Sequence, residues 1–460
     1  METESAESQA EEEAAAAAGS APKAAPELAP AEEGNAPTVE PEPEPAAAPA
    51  SPEAEFDPAS APPSDFSALR MVTLEGFQPP FSLTGDELDA HVRRYGTLFV
   101  ADKRSRRGGS GRVLYAENAW GDKLAVKVLE SEAYDGLPEK ERAAAEALRE
   151  ASFRREYESN RLLTGIAGFP KLFGRAKMDG QQALVMEWIE GETLGDVRRR
   201  LSVDDDGRSS PLVAAALGRD LFDLLARMAM VDGGLVHRDI SPANVMVRTT
   251  GASVEEQAAR GAFDLVLVDF GSTAIPARAS SITVRYGAPQ GATPDFAPPE
   301  MLTSDVANVA EMRKNPAVDV YAAASVVYLL LCGHPPFDLG RAAGDGEVTS
   351  DYLRKANELP RPIRMVHEQS PNVTVAPAWE GFADEQVRAA LSREKLAPSG
   401  EELQAALVRA DGQVAEIVLA ALEPSQAARP TAAQMRDGFA DFVRLYPQNV
   451  VNAVQGRPLV

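Results

Sequence analysis

The sequence predicts an α+β chain in which a disordered acidic tail precedes two folded lobes, one of mostly β-sheet with a single prominent helix and a larger one that is mostly helical. Three observations predict this architecture. Residues 1–67 are almost entirely Ala, Pro, Glu and Ser. Residues 96–130 alternate apolar and polar positions between Gly and Asn turns, as strands do. From residue 192 onward, apolar stretches typical of buried helices dominate the chain.

The N-terminal tail lacks the side chains that a hydrophobic core requires. It holds sixteen acidic residues and one lysine, and its first aromatic residue is Phe56. Such a segment buries too little apolar surface to offset its ordering entropy, so we expect it to be disordered. It supplies −15 of the net charge of −24. Two roles remain open for it, an inert solubilising tail and a docking or regulatory segment.

Charge, cysteine content and hydropathy exclude several classes of protein. The remaining sequence is mildly acidic, so no broad basic face for nucleic acid is expected. The single cysteine, Cys332, excludes an intramolecular disulfide and a Cys-rich zinc site. The N-terminus lacks a secretory signal, and the longest apolar run, residues 320–332, is too short to cross a bilayer. We therefore expect a cytoplasmic protein without a membrane anchor.

The folded region divides into segments with distinct patterns. The small lobe is predicted over residues 68–188, with a helix that opens at Pro138 and ends at Gly165, followed by a second strand pair. The large lobe is predicted over residues 189–447, with an insertion at about 338–415 and a C-terminal tail at 448–460. Its predicted helices cover residues 211–230, 317–333 and about 431–445.

Two features of the small lobe suggest phosphate chemistry. The turn "RRGGSGRV" (106–113) joins two strands, and its glycines allow backbone N–H groups to approach phosphate oxygens, although a simple hairpin has the same pattern. Lys127 lies within the apolar strand "LAVKVL". It either extends to solvent or needs an anionic partner, and Glu156 on the following helix is the best candidate.

Two further motifs lie in the large lobe. "HRDISPAN" places Asn244 five residues after Asp239, so that one side chain can accept a proton from a hydroxyl while the other binds a hard cation. Asp269 ends the apolar strand "LVLVDFGS". A carboxylate there is either a magnesium ligand or a residue that only forms the turn.

The order of these motifs decides between the alternative interpretations that each motif leaves open on its own. Glycine-rich hairpin, strand lysine, helix glutamate, "HRD" with its asparagine and "DFG" follow one another as in the protein-kinase signature set. Residues 90–445 resemble the eukaryotic-like serine/threonine protein kinases of bacteria. The resemblance implies a bilobal protein-kinase-like fold, ATP and Mg²⁺ as cofactors, and proteins as substrates.

The resemblance also implies roles for individual residues. Asp239 would accept the proton of the substrate hydroxyl, and Lys127, braced by Glu156, would hold phosphates. Asn244 and Asp269 would bind Mg²⁺. Positions that match nucleotide-binding positions of the family are Gly108, Gly111, Val113, Ala125, Lys127, Met186, Glu187, Ile189 and Asp269.

A second group of matching residues lies beyond the nucleotide site. The resemblance implies an ion pair between Glu300, in "ATPDFAPPEML", and Arg429. Thr293 before Pro294, and a catalytic loop without "AAR", favour Ser/Thr over Tyr as acceptor. Small-molecule kinases of the aminoglycoside type usually lack the segment around Glu300 and its arginine partner, which disfavours that class.

The chain departs from the family pattern at Ser241, where a lysine usually contacts the γ-phosphate. Serine offers only a neutral hydrogen bond, which is weaker than a charge-assisted one. Three alternatives stay open: another cation such as Arg285 substitutes, transfer is slower, or transfer is lost. In the last case the chain would be a pseudokinase, an ATP-gated binding module that recruits partners through its tail or its insertion.

Overall fold

The computed structural model describes residues 69–108, 111–129, 138–276, 292–339, 350–369 and 382–460. The predicted disordered tail, residues 1–67, lies outside these ranges. Within them an antiparallel sheet and one long helix form the small lobe, and helices dominate the large lobe, which confirms the predicted α+β class. No helix in the described ranges combines the length and apolar character that crossing a membrane requires.

Seven antiparallel strands form the sheet of the small lobe, in the order β1-β3-β4-β5-β7-β6-β2. The predicted strand–turn–strand–turn–strand pattern of residues 96–130 is confirmed, as is the second strand pair. The strands are β1 (Arg70–Thr73), β2 (Glu75–Gln78), β3 (Thr97–Gly108), β4 (Gly111–Glu117), β5 (Lys123–Val128), β6 (Leu172–Met178) and β7 (Gln181–Glu187).

The first two strands were not predicted from the sequence. Because β1 pairs with β3 and β2 pairs with β6, the short segment 70–78 covers both edges of the five central strands. Helix α1 (Asp86–Tyr95) follows, and its Tyr95 stacks on Phe173 of β6 with ring centroids 4.5 Å apart. This segment therefore closes the small lobe on the side away from the long helix.

The prominent helix of the small lobe, α2, runs from Glu139 to Leu163, as predicted. Phe153 and Tyr157 on one of its faces are buried against Leu184 and Met186 of β7. This packing fixes the helix on the sheet and aims Glu156, which lies between those two aromatic positions, at the neighbouring strand.

The large lobe is built around one buried helix, α8 (Ala317–Cys332), in which residues 318–332 are all buried. The predicted helix at 211–230 is confirmed as α4. A three-stranded sheet lies beside the small lobe in the order β10-β9-β8. The elements of this lobe are β8 (Gly191–Thr193), α3 (Leu194–Leu201), α4 (Pro211–Met230), β9 (Val245–Arg248), α5 (Val254–Arg260), β10 (Leu265–Leu267), α6 (Pro299–Leu302), α7 (Val306–Val309), α8 (Ala317–Cys332), α9 (Asp351–Asn357), α10 (Val366–Gln369), α11 (Phe382–Arg393), α12 (Gly400–Ala421) and α13 (Ala432–Val454).

Two predicted boundaries in the large lobe are wrong. The last helix was expected to end near residue 445, but α13 continues through Pro447 to Val454 because Asn449, Val450 and Val451 are buried. The predicted end of the insertion, residue 415, falls inside α12. That helix packs against α8 and α13 and belongs to the core of the lobe.

Candidate active site

A cleft of about 570 Å³ separates the two lobes. Ten of the twelve residues that the sequence analysis assigned to nucleotide binding, catalysis or metal binding line this cleft, and Asp239 lies beside it. The residues that line the cleft are Gly111, Val113, Ala125, Lys127, Glu156, Asn160, Pro170, Met186, Glu187, Trp188, Ile189, Gly191, Thr193, Asp196, Ala243, Asn244, Met246, Val268 and Asp269.

Lys127 is buried at the back of the cleft and has two anionic partners. Its Nζ donates to Glu156 Oε1 at 2.6 Å and to Asp269 Oδ1 at 2.9 Å. Burial alone would disfavour the ammonium form, but the two carboxylates outweigh it and raise the pKa of Lys127. The lysine therefore remains charged, and the alternative that it extends to solvent is excluded.

The glycine-rich turn borders the cleft through β4. Gly111 has φ of 147°, and a Cβ there would lie 2.4 Å from Val128 O, so only glycine fits. Gly108 faces Gly111 across the β3–β4 register. Residues 109 and 110 lie outside the described ranges.

The strand register brings the other predicted nucleotide positions together. Ala125 of β5 pairs with Met186 of β7, and Val113 of β4 pairs with Lys127. Glu187 and Ile189 follow in the segment that connects the lobes. The result is a slot lined largely by apolar side chains, which suits a flat heteroaromatic ring.

Asp239 is held at the mouth of the cleft by two neighbours. Its Oδ1 accepts from Thr293 N at 3.0 Å and from Thr293 Oγ1 at 2.9 Å. Its Oδ2 accepts from Asn244 Nδ2 at 3.0 Å. Burial raises the pKa of Asp239, while these hydrogen bonds favour the carboxylate form. A fixed, half-desolvated carboxylate of this kind can accept a proton from a hydroxyl.

Asn244 and Asp269 offer oxygen atoms to the same region. Val268 N donates to Asn244 O at 3.0 Å, so the chain segments that carry the two side chains are adjacent. The side-chain amide of Asn244 donates through Nδ2 to Asp239. The side-chain Oδ1 of Asn244 is therefore directed away from Asp239. One carboxylate and one amide oxygen suit Mg²⁺, which is usually held by few protein ligands together with phosphates. These residues therefore fit the predicted metal.

Two residues of the site adopt left-handed backbone conformations that non-glycine residues rarely occupy. Arg238 has φ of 69° and Asp269 has φ of 64°, and such conformations cost about 1–3 kcal/mol each. Asp319 at the start of α8 stabilises the first one, because its carboxylate accepts from His237 N and Arg238 N at 2.6 and 2.7 Å. The helical core thus holds the loop that carries Asp239 in a strained shape.

Phe270 positions the neighbouring Asp269. Its ring is 1% exposed and makes an edge contact with His237 at 5.0 Å, and it also packs on Phe169. Burial lowers the pKa of His237 to about 4, so this imidazole is neutral at physiological pH. His237 therefore packs against Phe270 as a neutral side chain.

Ser241 is buried and its carbonyl accepts from Asn244 N at 3.0 Å. Lys127 is the only cation that lines the described part of the cleft. Arg285, the suggested substitute for a lysine at position 241, lies outside the described residues.

Several residues of the cleft were missed by the sequence analysis. Met246 was detectable from its position two residues after Asn244, at the start of the strand that follows the motif. Thr193 and Asp196 were not detectable, because a threonine three residues before an aspartate is typical of an ordinary helix N-cap. Thr193 Oγ1 accepts from Asp196 N at 3.2 Å, as such a cap requires. Pro170 and Asn160 reach the cleft only through tertiary packing.

Glu300 and Arg429 form the ion pair that the sequence analysis predicted. Arg429 Nη1 lies 2.6 Å from Glu300 Oε1, and Nη2 lies 3.1 Å from Oε2. Both side chains are buried. The pair ties the segment after Thr293 to the loop before α13.

Comparison with known proteins agrees with this geometry. Residues 106–438 match the model of the protein kinase domain family. The chain is 32% identical over 263 residues to the serine/threonine-protein kinase PknA of Mycobacterium tuberculosis, covering 56% of this chain and 50% of that protein. It is 32% identical over 194 residues to the serine/threonine-protein kinase PkaA of Streptomyces coelicolor, covering 41% and 30%. The matched regions thus span half or less of these relatives. Members of this family generally use ATP and Mg²⁺, and the chain belongs to the protein kinase family, with bacterial serine/threonine kinases among its relatives.

Proposed function

We propose that the chain is an ATP-dependent protein kinase that transfers the γ-phosphate to serine or threonine hydroxyls of proteins. The observation that carries this proposal is the convergence on Lys127 of Glu156 from α2 and Asp269 from the segment after β10. Three separate elements have to meet for this contact to form. When this contact is formed, Lys127, the cation that would bind the phosphates of ATP, is already in place.

The remaining groups suit the transfer itself. The substrate hydroxyl oxygen forms a bond to the γ-phosphorus, the bond from that phosphorus to the bridging oxygen breaks, and the hydroxyl proton passes to Asp239. Thr293 and Asn244 hold that carboxylate in place. Bound Mg²⁺ would neutralise phosphate charge, and Asn244 and Asp269 would be its ligands. Positioning and electrostatic stabilisation supply most of the rate acceleration in such chemistry.

The acceptor class follows from the segment beside Asp239. Thr293 lies beside Asp239 and donates to its carboxylate. The relatives that the chain resembles are named serine/threonine kinases. The acidic tail and the insertion that precedes α12 are candidate docking regions for protein substrates. The proposed acceptor class and the proposed docking regions concern the whole protein and rest on the family resemblance.

Mass spectrometry after incubation with Mg–ATP tests the proposal. The full chain should phosphorylate itself or a mixture of Ser-, Thr- and Tyr-containing peptides, with phosphate on Ser and Thr only. Asp239→Asn should remove this activity while leaving the thermal shift produced by Mg–ATP intact. Equal and undetectable transfer by the wild type and by Asp239→Asn would refute the enzymatic function.

Ser241 supports a second candidate, a pseudokinase that binds ATP and recruits partners. The cleft contains a single lysine and no arginine among the described residues, which therefore lack one positive charge that the family usually provides. A thermal shift with Mg–ATP, combined with no phosphate transfer to any peptide, would favour this candidate over the enzyme.

A further inference from the structure

Lys355 of α9 is a fully buried lysine that the proposed chemistry does not use. Its Nζ donates to three backbone carbonyls: Pro294 O at 2.6 Å, Asp295 O at 3.1 Å and Ala297 O at 2.7 Å. The side chain is 0% exposed. One side chain from the region after residue 338 thus binds three of the five carbonyls of residues 293–297.

The surroundings of Lys355 match an ammonium ion. Three N–H groups meet three carbonyl oxygens, so each donor has a partner. The ring centroids of Tyr321 and Phe337 lie 5.7 and 5.6 Å from Nζ, within the range of cation–π attraction. The hydrogen-bond partners of its Nζ within the described residues are backbone carbonyls and not carboxylates. A buried ammonium without a carboxylate partner is costly, so these carbonyl contacts are what retains it.

The segment that Lys355 binds is the one that holds Asp239. Thr293 donates twice to the carboxylate of Asp239, and the next residue, Pro294, accepts from Lys355. The amides of Phe296 and Ala297 both donate to Thr293 O at 3.0 Å, which folds the segment into a tight turn around the ammonium. Lys355 and Asp239 are therefore connected through two neighbouring residues: Lys355 binds Pro294, and Thr293 binds Asp239.

We infer that Lys355 is a positioning residue that fixes residues 293–297 beside Asp239 and thereby determines how a protein substrate presents its hydroxyl. This inference rests on the proposed kinase function. It concerns the binding of the protein substrate and not of ATP, because Lys355 does not line the nucleotide cleft.

The charge state of Lys355 adds a measurable consequence. Burial lowers its pKa to about 7, against the opposing effect of Asp295 on the bound segment and Asp351 on its own helix. The neutral amine has two N–H groups for three carbonyls. The hold on the segment should therefore weaken as pH rises through 7 and be full only below it.

Hydrogen exchange of the full chain tests the inference without relying on activity. In Lys355→Met the amides of Phe296 and Ala297 should lose about tenfold in protection, the effect of losing one or two hydrogen bonds. Amides of α8 should stay unchanged, which shows that the lobe remains folded. Lys177→Met, which removes an exposed lysine from β6, is the matched control and should change neither region.

The wild type provides a second measurement that needs no substitution. After correction for intrinsic exchange, protection of Phe296 and Ala297 should fall between pH 6 and pH 8.5, and this dependence should be absent in Lys355→Met. Equal protection in the wild type and the variant at pH 6 would overturn the inference.

Kinetics then separate this inference from the proposed function. With a peptide substrate, Lys355→Met should raise the KM for the peptide about tenfold and leave the KM for ATP unchanged. A change in the KM for ATP as large as that for the peptide would contradict a positioning role. If the wild type transfers no phosphate at all, the proposed function fails, while the exchange experiment still decides whether Lys355 holds the segment.

Discussion

The ammonium of Lys127 and the carboxylate of Glu156 lie 2.6 Å apart inside the protein, with side-chain exposures of 4% and 2%. Each comes from a different element, one from the middle of a strand and one from the long helix of the small lobe. Asp269, 2.9 Å from the same ammonium, joins the large lobe to this pair. These contacts therefore link α2 of the small lobe to the segment of the large lobe that carries Asp269.

Replacing Glu156 by Gln should lower kcat/KM by about 10²–10³-fold, the range found when one preorganised electrostatic group is removed. Lys127 would keep one carboxylate partner and α2 would lose its charged link to the sheet. Initial rates with a peptide substrate measure the effect. Lys123→Met is the control, because Lys123 lies on the same strand and pairs with Glu190 at the surface; it should change the rate less than twofold. A similar loss in both variants would contradict the role of the buried pair.

The acid limb of the pH–rate profile should report Asp239. Because this carboxylate must be deprotonated to accept a proton, kcat/KM falls as pH falls through its pKa, which burial raises. Thr293→Val removes the hydroxyl that donates to it at 2.9 Å, and with it about 1.5 kcal/mol of preference for the charged form. The limb should move to higher pH by about one unit. Thr249→Val removes a hydroxyl away from the cleft and should leave the acid limb in place. If the acid limb does not move in Thr293→Val, a group other than Asp239 causes it.

Ser241→Lys should raise kcat about tenfold, because a charge-assisted bond to the transferred phosphate exceeds a neutral one by roughly 1.4 kcal/mol. Initial rates at saturating Mg–ATP measure this change. Ser241→Met is the matched control, since it adds similar bulk to this buried position without charge. If Lys and Met variants behave alike, a cation elsewhere in the chain already supplies the missing charge.

The chemistry of the site was predictable from the sequence because its motifs are local. The spacing of Asp239 and Asn244 within one loop, and the placement of Lys127 inside an apolar strand, both carry physical constraints that survive without tertiary information. Glu156 was also predictable, since the aromatic residues on either side of it marked the face of α2 that packs on the sheet.

Residues whose role depends on distant packing were not predictable. Lys355 lies in a stretch that reads as an ordinary amphipathic turn, and only the fold brings it to carbonyls about sixty residues earlier in the chain. The edge strands β1 and β2 were not predicted for a related reason. Each has four residues, too few for an alternating pattern to stand out, and they are stabilised by pairing with β3 and β6.

Arg429→Met should destabilise the large lobe by about 3–5 kcal/mol, because it leaves the carboxylate of Glu300 buried without its cation. The arginine also donates to the carbonyls of Glu423, Pro424 and Ala317, so its loss frees acceptors in two further segments. Urea unfolding followed by circular dichroism measures the change.

Two further variants decide whether the buried charge causes that loss. Arg444→Met breaks an exposed pair with Asp441, in which both side chains are more than 60% exposed, and should cost less than about 1 kcal/mol. The double variant Arg429→Met with Glu300→Met removes both charges and should be more stable than Arg429→Met alone, since no uncompensated carboxylate remains. A double variant less stable than the single one would show that packing and carbonyl contacts, and not the ion pair, connect the segment after Thr293 to α13.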